Sequence, residues 1–440
     1  MSGPRRVLIV SPHFPPSSAP DMQRVRMSLP HFEEFGWRPC VLAVGPEPGE
    51  ACDPLLLETV PPGIRVERVK AAPAWMCRPF GVGNIAARAL PALLAAGSRL
   101  IESEAIDLVY FSTTMFFAMP LGRVWKARHG TPYVLDIQDP WLSDYYETHP
   151  ASAPPPKYAL ARRVHAALEP WTLARADGLI AVSPAYLETL ARRYARAGVV
   201  PSVTLPFGAS PHDFDLLERH PQANRHFTPR DGYLHGVYAG RGGDDLATAL
   251  DILFRAFRAG LASDPALFDR VVLHFVGTDY AGADRARKTV EPLAARAGLA
   301  DRVHEDTGRV PYFEALQLMK DADFLLSIGS DDAAYTASKI YPCILARKPL
   351  LAVVHEGSTI TGVLRETGAG EAVTFPSTAG ETERAAAAAR LAGQWRDILA
   401  SPRPPDVDWR RFERYSAREM TRRQGALFDD VIERGKARAA

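Results

Sequence analysis

The amino-acid sequence predicts an α/β fold made of two domains, each built around a parallel β-sheet. Short β-branched or aliphatic runs alternate with longer amphipathic stretches along the chain, which is the pattern of βα units. With 440 residues the chain exceeds the size that one hydrophobic core usually reaches, so we expect two cores. The sequence has no internal repeat of about 20–50 residues, which argues against solenoids and propellers.

Apolar runs of strand length occur in both halves of the chain. In the first half they predict strands at Arg6–Val10, Arg38–Val44, Arg65–Val69, Leu108–Phe111, Tyr133–Ile137, Leu179–Val182 and Val203–Leu205. In the second half they predict strands at Leu234–Ala239, Val271–Val276, Val303–Glu305, Phe324–Ile328, Leu350–Val354 and Glu371–Thr374.

Helical periodicity is clearest in stretches between these runs, at Met22–Phe35, Leu246–Phe257, Tyr312–Met319 and Lys339–Ala346. A last helix is predicted at Trp409–Arg434. The segment Trp141–Lys157 is rich in proline and polar residues, so we expect a loop or lid there.

The domain boundary is expected between Pro206 and Tyr233, because Phe207–Arg230 is rich in Pro, His and Asp and a new strand follows it. We therefore assign residues 1–210 to the first domain and 211–408 to the second, with 409–440 crossing back to the first. Open α/β sheets bind ligands at the carboxyl ends of their strands, so we expect a large cleft between the domains.

Composition and charge exclude several classes of protein. Apolar residues make up 47% and charged residues 23%, which is not the composition of a disordered chain. The net charge of +1 argues against a nucleic-acid binder. Neither a disulfide framework nor a zinc site is expected, because the four cysteines lack ligand spacing. The apolar run Val7–Val10 is too short for a signal peptide, and Ile85–Ile101 contains Arg88 and Arg99, so we expect a cytoplasmic protein without a membrane span.

A series of motifs resembles, in the same order, the landmarks of glycosyltransferase family 4. They are Val7–Pro16, Gly36–Leu42, Tyr133–Trp141, Ala176–Ser183, Leu205–Gly208, Tyr238–Arg241, Phe275–Gly277, Gly308–Val310, Ala322-Asp323, Ser338–Pro342 and Lys348–Ala352. The resemblance implies a GT-B fold, in which two Rossmann-like domains face each other and the C-terminal one holds a nucleotide-sugar. It also implies a hexosyltransferase-type reaction without a metal, usually with retention at the anomeric carbon, and no cofactor other than the donor substrate.

The sequence departs from the family pattern at several positions. The paired glutamates of the family, of which the second commonly anchors the donor ribose, are replaced by Ala334 and Pro342. A lysine expected about six residues after Arg241 is missing. The glycine-rich loop after the first strand is replaced by Ser17–Asp21, and Gln138 stands where a histidine is common. The chain is therefore a divergent relative.

Two strand-to-helix junctions of the second domain suit a diphosphate. Gly240, Gly242 and Gly243 would let the backbone N–H groups approach it, and Arg241 would add charged donors. The alternative is a tight turn that needs glycine. Ser338 is a natural N-cap, and Lys339 would then lie in the first helical turn. The helix dipole disfavours a cation there unless an anion lies nearby, which favours a ligand phosphate. The alternative for Lys339 is a solvated side chain.

Further candidates follow other strands. The resemblance adds Arg309 to the donor site. Asp331 and Asp332 follow Phe324–Ile328 and could accept donor hydroxyls, or they are simply solvated. His355 and Glu356 follow Leu350–Val354 and could bind the sugar or the leaving phosphate, while Ser358 or Thr359 could instead cap the next helix.

On the acceptor side, Asp136 and Asp139 bracket the end of Tyr133–Ile137, and Asp139 is the candidate to orient the acceptor hydroxyl or take its proton. Trp141 could offer an apolar face to a sugar ring or lipid. His13 follows the first strand and could line the same cleft. The alternatives are an Asp-Pro turn at Asp139 and a structural role for His13.

The leading hypothesis is a glycosyltransferase that moves a sugar from a nucleotide-sugar to a saccharide or lipid-linked acceptor, in polysaccharide or glycolipid synthesis. Arg241 and Lys339 would be the catalytic counter-charges of the leaving group. The alternatives are a catalytically degenerate member that only binds a sugar nucleotide or a partner, and a GT-B sugar-nucleotide epimerase. The motifs contain no clustered ligands for a metal.

A peripheral contact with an anionic membrane is also predicted. Residues 157–196 contain seven Lys and Arg and three acidic residues, a local charge of +4. We expect one helix there to bury an apolar stripe and turn two arginines outward; the stripe is Leu160, Val164, Leu168 and Trp171, and the arginines are Arg162 and Arg163. The alternative is an ordinary solvated basic face.

Overall fold

The structure is a computed structural model that describes residues 3–77, 81–142, 158–279, 286–332 and 338–439. Its strands form two sheets in which every pairing is parallel. The strands of the first sheet are β1 (Arg5–Val10), β2 (Trp37–Val44), β3 (Arg65–Val69), β4 (Leu108–Ser112), β5 (Tyr133–Ile137), β6 (Gly178–Ala181) and β7 (Ser202–Thr204). Those of the second are β8 (Leu234–Ala239), β9 (Val271–Val276), β10 (Val303–Asp306), β11 (Phe324–Ile328), β12 (Leu350–His355) and β13 (Ala372–Phe375).

The strand order is β3-β2-β1-β4-β5-β6-β7 in the first sheet and β10-β9-β8-β11-β12-β13 in the second. Each order reverses once, between β1 and β4 in the first sheet and between β8 and β11 in the second. The predicted fold class of two parallel α/β sheets is confirmed, and each predicted strand lies within one residue of its observed ends.

Helices connect the strands of both sheets. The α-helices are Gln23–Ser28, Ala74–Cys77, Ile85–Ser103, Pro120–His129, Tyr158–Leu173, Pro184–Arg193, Pro211–Arg219, Ala247–Ser263, Pro265–Phe268, Glu291–Arg296, Tyr312–Asp321, Ile340–Leu345, Thr359–Thr367, Glu381–Ala400, Trp409–Phe412 and Ala417–Ala439. Short 3-10 turns lie at Pro20–Met22, Leu29–His31, Glu33–Phe35, Pro54–Thr59, Phe116–Ala118, Asp244–Leu246 and Glu413–Tyr415.

Two predicted helices are interrupted. The helix predicted at Met22–Phe35 is α-helical only over Gln23–Ser28 and continues as 3-10 turns, the first of which contains Pro30, which lacks an N–H group. The helix predicted at Trp409–Arg434 breaks at Ser416, whose backbone is extended (φ −69°, ψ 154°).

The chain divides into two compact units, residues 1–208 with 417–440 and residues 209–416. The first boundary lies two residues from the predicted one, and the final helix Ala417–Ala439 is part of the first unit. Each unit has its own core and is described by itself.

In the first unit the final helix completes the core on one face of the sheet. Phe428 is fully buried and contacts three aromatic side chains. Its ring centroid lies 6.3 Å from Phe32, 5.3 Å from Trp37 and 5.2 Å from Tyr110. The opposite face packs against Ile85–Ser103 and Pro120–His129, and Trp125 is fully buried there.

The core of the second unit centres on Trp395 of the helix Glu381–Ala400. The indole is fully buried, with ring centroids 5.0 Å from Phe257, 5.6 Å from Phe268 and 5.6 Å from Phe324. These contacts hold the helices Ala247–Ser263 and Glu381–Ala400 against β11.

A histidine cluster lies on the other face of the second sheet. His235 Nδ1 is 3.0 Å from His274 Nε2, and Asp231 accepts from His235 Nε2 at 3.1 Å. Phe227 stacks on both rings, with centroids 4.4 Å and 4.8 Å away. Burial, and then His235, His304 and His226, lower the pKa of His274 to about 3, whereas the ordinary value is about 6.5.

We expect Phe428→Ala to lower the free energy of unfolding of the first unit by about 3–5 kcal/mol, because it leaves a cavity among three rings. Urea denaturation followed by tryptophan fluorescence measures this loss. The matched control Leu57→Ala, at an exposed position of the same unit, should change stability by less than about 0.5 kcal/mol. Equal effects of the two substitutions would contradict the assignment of the final helix to this core.

The histidine cluster predicts that the second unit loses stability in acid. Because the pKa of His274 is lowered on folding, the unfolded chain binds its proton first, and stability present above pH 6.5 declines as the pH falls toward 3. At pH 5 the loss is on the order of 2 kcal/mol. Denaturation of His274→Gln between pH 7 and 5 should show a smaller loss, and the exposed control His212→Gln should behave as the wild type does. An unchanged pH dependence in His274→Gln would refute the prediction.

Candidate functional site

The carboxyl edge of each sheet has a crevice where the strand order reverses, and ligands of open α/β sheets bind at such points. In the second unit this crevice is bounded by Gly240–Gly243 after β8 and by Ser330–Asp332 after β11. Most of the donor residues predicted from the sequence lie there or on the adjoining segments.

The glycine loop after β8 does not present free N–H groups at its glycines, so that prediction is wrong. The three glycine N–H groups are paired with the end of β9 and the chain that follows it; Gly240 donates to the Val276 carbonyl (2.9 Å), Gly242 to the Thr278 carbonyl (2.7 Å) and Gly243 to Thr289 Oγ1 (3.1 Å). The loop thus continues the pairing of β8 with β9 beyond the strands.

The glycines are needed for close packing instead. A Cβ atom on Gly240 would overlap the ammonium of Lys339, and one on Gly242 would lie 2.6 Å from Thr289 Oγ1. Gly243 has a φ of +140°, which side-chain-bearing residues rarely adopt. The alternative of a glycine-dependent turn is therefore what the structure shows.

A buried carboxylate, Glu305, supports this loop, and sequence reasoning missed it. Glu305 accepts from Thr278 Oγ1 (2.7 Å) and from the N–H groups of Thr289, Val290 and Glu291 (3.1, 2.9 and 2.9 Å). A carboxylate at a helix start satisfies N–H groups that have no partner within the helix. Thr289, which holds Gly243, is fixed in this way.

Arg241 is held by Asp245, which the sequence analysis did not single out. The guanidinium donates to both carboxylate oxygens, at 2.8 and 2.6 Å, and Ser330 Oγ donates to Asp245 at 2.6 Å. Burial raises the pKa of Asp245, but the hydrogen bonds from Arg241 and Ser330 outweigh it and the pKa is lowered. The four-residue spacing of Arg241 and Asp245 was the available signal. This ion pair links the loops after β8 and β11 across the crevice.

Lys339 lies mostly buried in the same place. Its ammonium is 5.9 Å from the centroid of the Tyr238 ring. Burial, and next the positive charge of Arg241, lower the pKa of Lys339 to about 8, with Arg309 contributing. Within the described ranges no carboxylate forms an ion pair with Lys339. The charges of Arg241 and Arg309 therefore both act on Lys339, and Arg241 is paired with Asp245.

Two predictions near Lys339 need correction. The helix starts at Ile340, with Lys339 itself as the N-cap, and Ser338 makes no capping hydrogen bond through its side chain. Because the helix begins at Ile340, Ser338 precedes the N-cap position, and the helix ends at Leu345. Pro342 therefore stands at the third helical position, where a missing N–H costs nothing. Ala334 lies outside the described residues.

Asp331 has an unsatisfied acceptor at the crevice. Its Oδ1 atom is buried and accepts no hydrogen bond within the described part of the chain. Burial and the charge of Asp245 raise the pKa of Asp331, although a hydrogen bond from Thr248 opposes them. A ligand hydroxyl would satisfy this oxygen. Asp332 is exposed and its N–H donates to Ser330 Oγ.

His355 is buried and makes hydrogen bonds within the protein, and its donor role stays a prediction. Its Nδ1 accepts from the Gly357 N–H at 3.0 Å, and its Nε2 lies 2.7 Å from Ser377 Oγ. Both ring nitrogens are thus used within the protein. Ser358 caps the next helix by accepting from the Ile360 N–H, which confirms the alternative for that residue. Glu356 is exposed.

In the first unit Asp136 is fully buried and cannot receive an acceptor. Its Oδ2 atom accepts from Arg24 Nε (2.7 Å), Ser112 Oγ (2.8 Å), Tyr110 Oη (3.1 Å) and Gln138 Nε2 (3.1 Å). Arg24 donates further to the carbonyls of Leu205 and Pro206. This network is a buried scaffold behind the crevice.

His13 and Asp139 lie at the crevice of the first sheet. His13 Nδ1 is 2.9 Å from Asp21 Oδ1, and Asp21 also accepts from Thr113 Oγ1 at 2.7 Å and from the Thr114 N–H at 3.3 Å. Desolvation by the surrounding protein, and then the charge of Asp21, raise the pKa of Asp139 to about 6. Asp21 was missed, because a single acidic residue in a loop carries no spacing signal.

Trp141 is only 7% exposed, so it does not offer an open face as predicted. Its indole stacks on Phe116 with centroids 5.2 Å apart, and its Nε1 donates to His165 Nδ1 at 2.7 Å. Nearly all of the predicted lid that begins at Trp141, residues 143–157, lies outside the described residues.

The helix Tyr158–Leu173 contradicts the expected burial of its apolar stripe. Leu160, Val164 and Trp171 are 63%, 39% and 40% exposed, and Leu168 is half-buried. Of the two arginines expected outside, Arg163 is exposed and Arg162 is half-buried.

No helix in the described ranges has the length and hydropathy that a membrane crossing requires. They also contain no group of three or more His, Cys, Asp or Glu side chains placed to hold a metal ion.

Comparisons with known proteins agree with this architecture. Residues 23–208 match the family model of the glycosyl transferase 4-like domain. A crystal structure of Anabaena Alr3699/HepE in complex with UDP-glucose is 18% identical, with a TM-score of 0.54 over 96% of this chain and 98% of that one. A UDP-forming α,α-trehalose-phosphate synthase from Burkholderia xenovorans is 13% identical, with a TM-score of 0.61 over 97% and 99%. No curated protein matches the chain.

The predicted resemblance to glycosyltransferase family 4 is confirmed over residues 23–208, and the predicted GT-B fold class is confirmed by the structural similarity. The low identities show the fold alone. The class of function, sugar transfer, is supported by the family match of residues 23–208.

Proposed function

We propose that this chain, whose residues 23–208 carry a glycosyl transferase 4-like domain, transfers a sugar from a nucleotide-sugar donor to an acceptor hydroxyl. The observation that carries the proposal is Lys339, a mostly buried lysine without an acidic partner among the described residues, beside Arg241 and Arg309. Burying such a cation is costly unless an anion joins it, and a diphosphate supplies that anion.

The donor binds the crevice of the second unit in this proposal. Lys339 and Arg309 contact the diphosphate, while Arg241 keeps its ion pair with Asp245 and adds to the local positive potential. Because Gly240 has no Cβ atom, the ammonium of Lys339 can lie beside its backbone. Asp331 Oδ1 accepts a donor hydroxyl, taking over part of what the absent family glutamates do.

Catalysis is electrostatic. As the bond from the anomeric carbon to the phosphate breaks, negative charge grows on the diphosphate, and Lys339 stabilises it in a site with little water. No metal ion is needed for this in our proposal, since the fixed cations replace it. Asp139 orients the acceptor hydroxyl by accepting its hydrogen bond. Because the pKa of Asp139 is raised to about 6, this carboxylate can also take up a proton near neutral pH.

The acceptor is a saccharide or a lipid-linked saccharide, and the protein works in the cytoplasm at an anionic membrane surface in this proposal. The exposed Leu160, Val164 and Trp171 form an apolar stripe with Arg163 beside it, and Arg123 covers the Trp171 ring at 4.5 Å. Apolar side chains bordered by arginines suit the interface of an anionic bilayer. A degenerate binding protein and an epimerase remain outcomes of the first experiment below.

The test of the proposed function is incubation with radiolabelled UDP-, GDP- and ADP-sugars, with and without EDTA. We expect release of a nucleoside diphosphate from one donor, at the same rate in both conditions. Binding without release would favour the degenerate protein, and an epimerised sugar would favour the epimerase. Release that stops with EDTA and returns with magnesium or manganese would contradict metal-independent transfer.

Lys339→Ala should weaken the binding of the matching nucleoside diphosphate by about 1–3 kcal/mol, the usual contribution of a hydrogen bond to a charged group. Calorimetry measures it. The control is Lys288→Ala, which removes an exposed lysine of the same unit and should leave the affinity unchanged. Equal affinities of wild type and Lys339→Ala would remove Lys339 from the site.

Vesicle co-sedimentation tests the membrane contact. The protein should bind anionic vesicles, bind neutral ones weakly and detach in high salt, because the attraction is screened. Leu160→Ser with Trp171→Ser should reduce binding several-fold, whereas the control Val199→Ser, an exposed apolar residue of the same unit, should not. Equal partitioning to both vesicle types would contradict the proposal.

A further inference from the structure

We propose that Lys339 is a site of reversible carbamylation, at which dissolved carbon dioxide adds to the side-chain amine and turns a cation into an anion. The modification itself goes beyond the proposed function, and only its effect on donor binding depends on that function. All of the groups that carry the inference belong to the second unit.

The amine of Lys339 lies in a largely apolar environment. Its nitrogen packs against the backbone of Gly240, where a Cβ atom would overlap it, and lies 5.9 Å from the centroid of the Tyr238 ring. Beside it is a cavity of about 10 Å³ whose lining includes Leu326 and Ile328. Such surroundings disfavour a charged amine, and they admit a small uncharged molecule more readily than a hydrated ion.

The charges that act on Lys339 are mainly positive. Arg241 and Arg309 both act on the amine, and within the described ranges no acidic side chain forms an ion pair with it. Asp245, which follows the glycine loop, already binds Arg241 and Ser330. A negative group attached to Lys339 would therefore lie in the field of two guanidinium groups, which stabilises it.

Lys348 shows why burial by itself is insufficient. It is half-buried, and burial lowers its pKa as it does that of Lys339, but the charges that act on it next are those of Asp323 and Asp321. A carbamate at Lys348 would be repelled by these two carboxylates. Lys348 thus provides a control lysine within the same unit.

Only an unprotonated amine reacts with carbon dioxide. Burial, and then the charge of Arg241, lower the pKa of Lys339 to about 8, and Arg309 contributes. At about pH 7.4 roughly a fifth of such an amine is unprotonated, against about one in a thousand for an ordinary lysine. The Cys343 thiol, which lines the same cavity, stays neutral because burial raises its pKa to about 12.

The reaction balances without an oxidant. The lone pair of Lys339 Nζ forms a bond to the carbon of carbon dioxide, and one carbon–oxygen π pair moves to the oxygen. A proton leaves the nitrogen for water, so a neutral amine and carbon dioxide yield a carbamate and a proton. Aldehydes react with lysine amines as well, but their imines carry no negative charge for Arg241 and Arg309 to stabilise. The surroundings of Lys339 therefore favour carbon dioxide.

Carbamylation would oppose the binding of a nucleotide-sugar donor. The diphosphate of the donor favours the protonated, positive form of Lys339, whereas carbon dioxide needs the neutral amine and leaves a negative charge on it. Each ligand therefore lowers the apparent affinity of the other by the same factor. Dissolved carbon dioxide is thus expected to inhibit the protein by competing with the donor.

The test traps the carbamate chemically in the whole protein, without any nucleotide. The protein is equilibrated with isotope-labelled carbon dioxide and bicarbonate, alkylated with triethyloxonium and analysed by peptide mass spectrometry. We expect the label on Lys339 and about ten-fold less or lower on Lys348 and on the exposed Lys288, because these amines are protonated or face carboxylates. At constant dissolved carbon dioxide the label should rise from about pH 6 to about pH 8.5, since the neutral amine increases through a pKa of about 8.

Arg309→Gln should lower the label on Lys339 several-fold, because it removes a charge that keeps the amine neutral and stabilises the carbamate. The matched control Arg390→Gln, which alters an exposed arginine of the same unit, should leave the label unchanged. Inorganic pyrophosphate should protect Lys339 from the label, and so should the nucleoside diphosphate released in the panel above.

Three outcomes would overturn the inference, even in a protein that transfers sugar. They are an unlabelled Lys339, equal labelling of Lys339 and Lys348, and a label that Arg309→Gln leaves unchanged. Labelling of Lys339 that no diphosphate reduces would instead support carbamylation and contradict the donor-binding role proposed for Lys339. The failure of the inference is therefore distinguished from the failure of the proposed function.

Discussion

The buried ion pair between Arg24 and Asp136 holds together the carboxyl edge of the first sheet. Arg24 follows β1, Asp136 ends β5, and the guanidinium also binds the carbonyls of Leu205 and Pro206 after β7. Neither charge is accessible to water, since Arg24 is 2% and Asp136 0% exposed. Removing one partner of such a pair costs about 3–5 kcal/mol, because the other charge is left buried. The loops that carry His13, Asp21 and Asp139 depend on this frame.

In the second unit a more exposed ion pair joins the loops at the carboxyl edge of the sheet. Arg241 and Asp245 are about a third exposed or less, and Ser330 joins them to the loop after β11. The pair therefore orders the crevice more than it stabilises the unit. Its neighbour Lys339 forms no ion pair with an acidic side chain in the described ranges of the chain. The two crevices thus differ, since the first is organised around buried carboxylates and the second contains a mostly buried lysine.

The fold was predictable from sequence because the strands of parallel sheets are buried on both faces and form continuous apolar runs. The apolar runs at β9 and β12 predict strands whose ends lie within one residue of the observed ones. The positions of the candidate loops followed from the strand ends. The hydrogen-bond partners of the residues in these loops could not be predicted. Pairs such as His13 with Asp21, His355 with Ser377 and Gly243 with Thr289 join residues that no sequence periodicity relates. Sequence reasoning therefore located the loops that carry Arg241 and Lys339, whose site roles stay predictions, and it misjudged the exposure of Trp141 and the capping role of Ser338.

The return of the final helix to the first unit has a consequence for biosynthesis. Phe428 fills a space between Trp37 and Tyr110, yet the ribosome makes it only after the entire second unit, residues 209–416. At about 5–20 residues per second, the nascent first unit waits on the order of ten to forty seconds with an uncovered aromatic face. During that interval the second unit, which is continuous in sequence, can finish folding. The first unit is thus completed last although it is begun first.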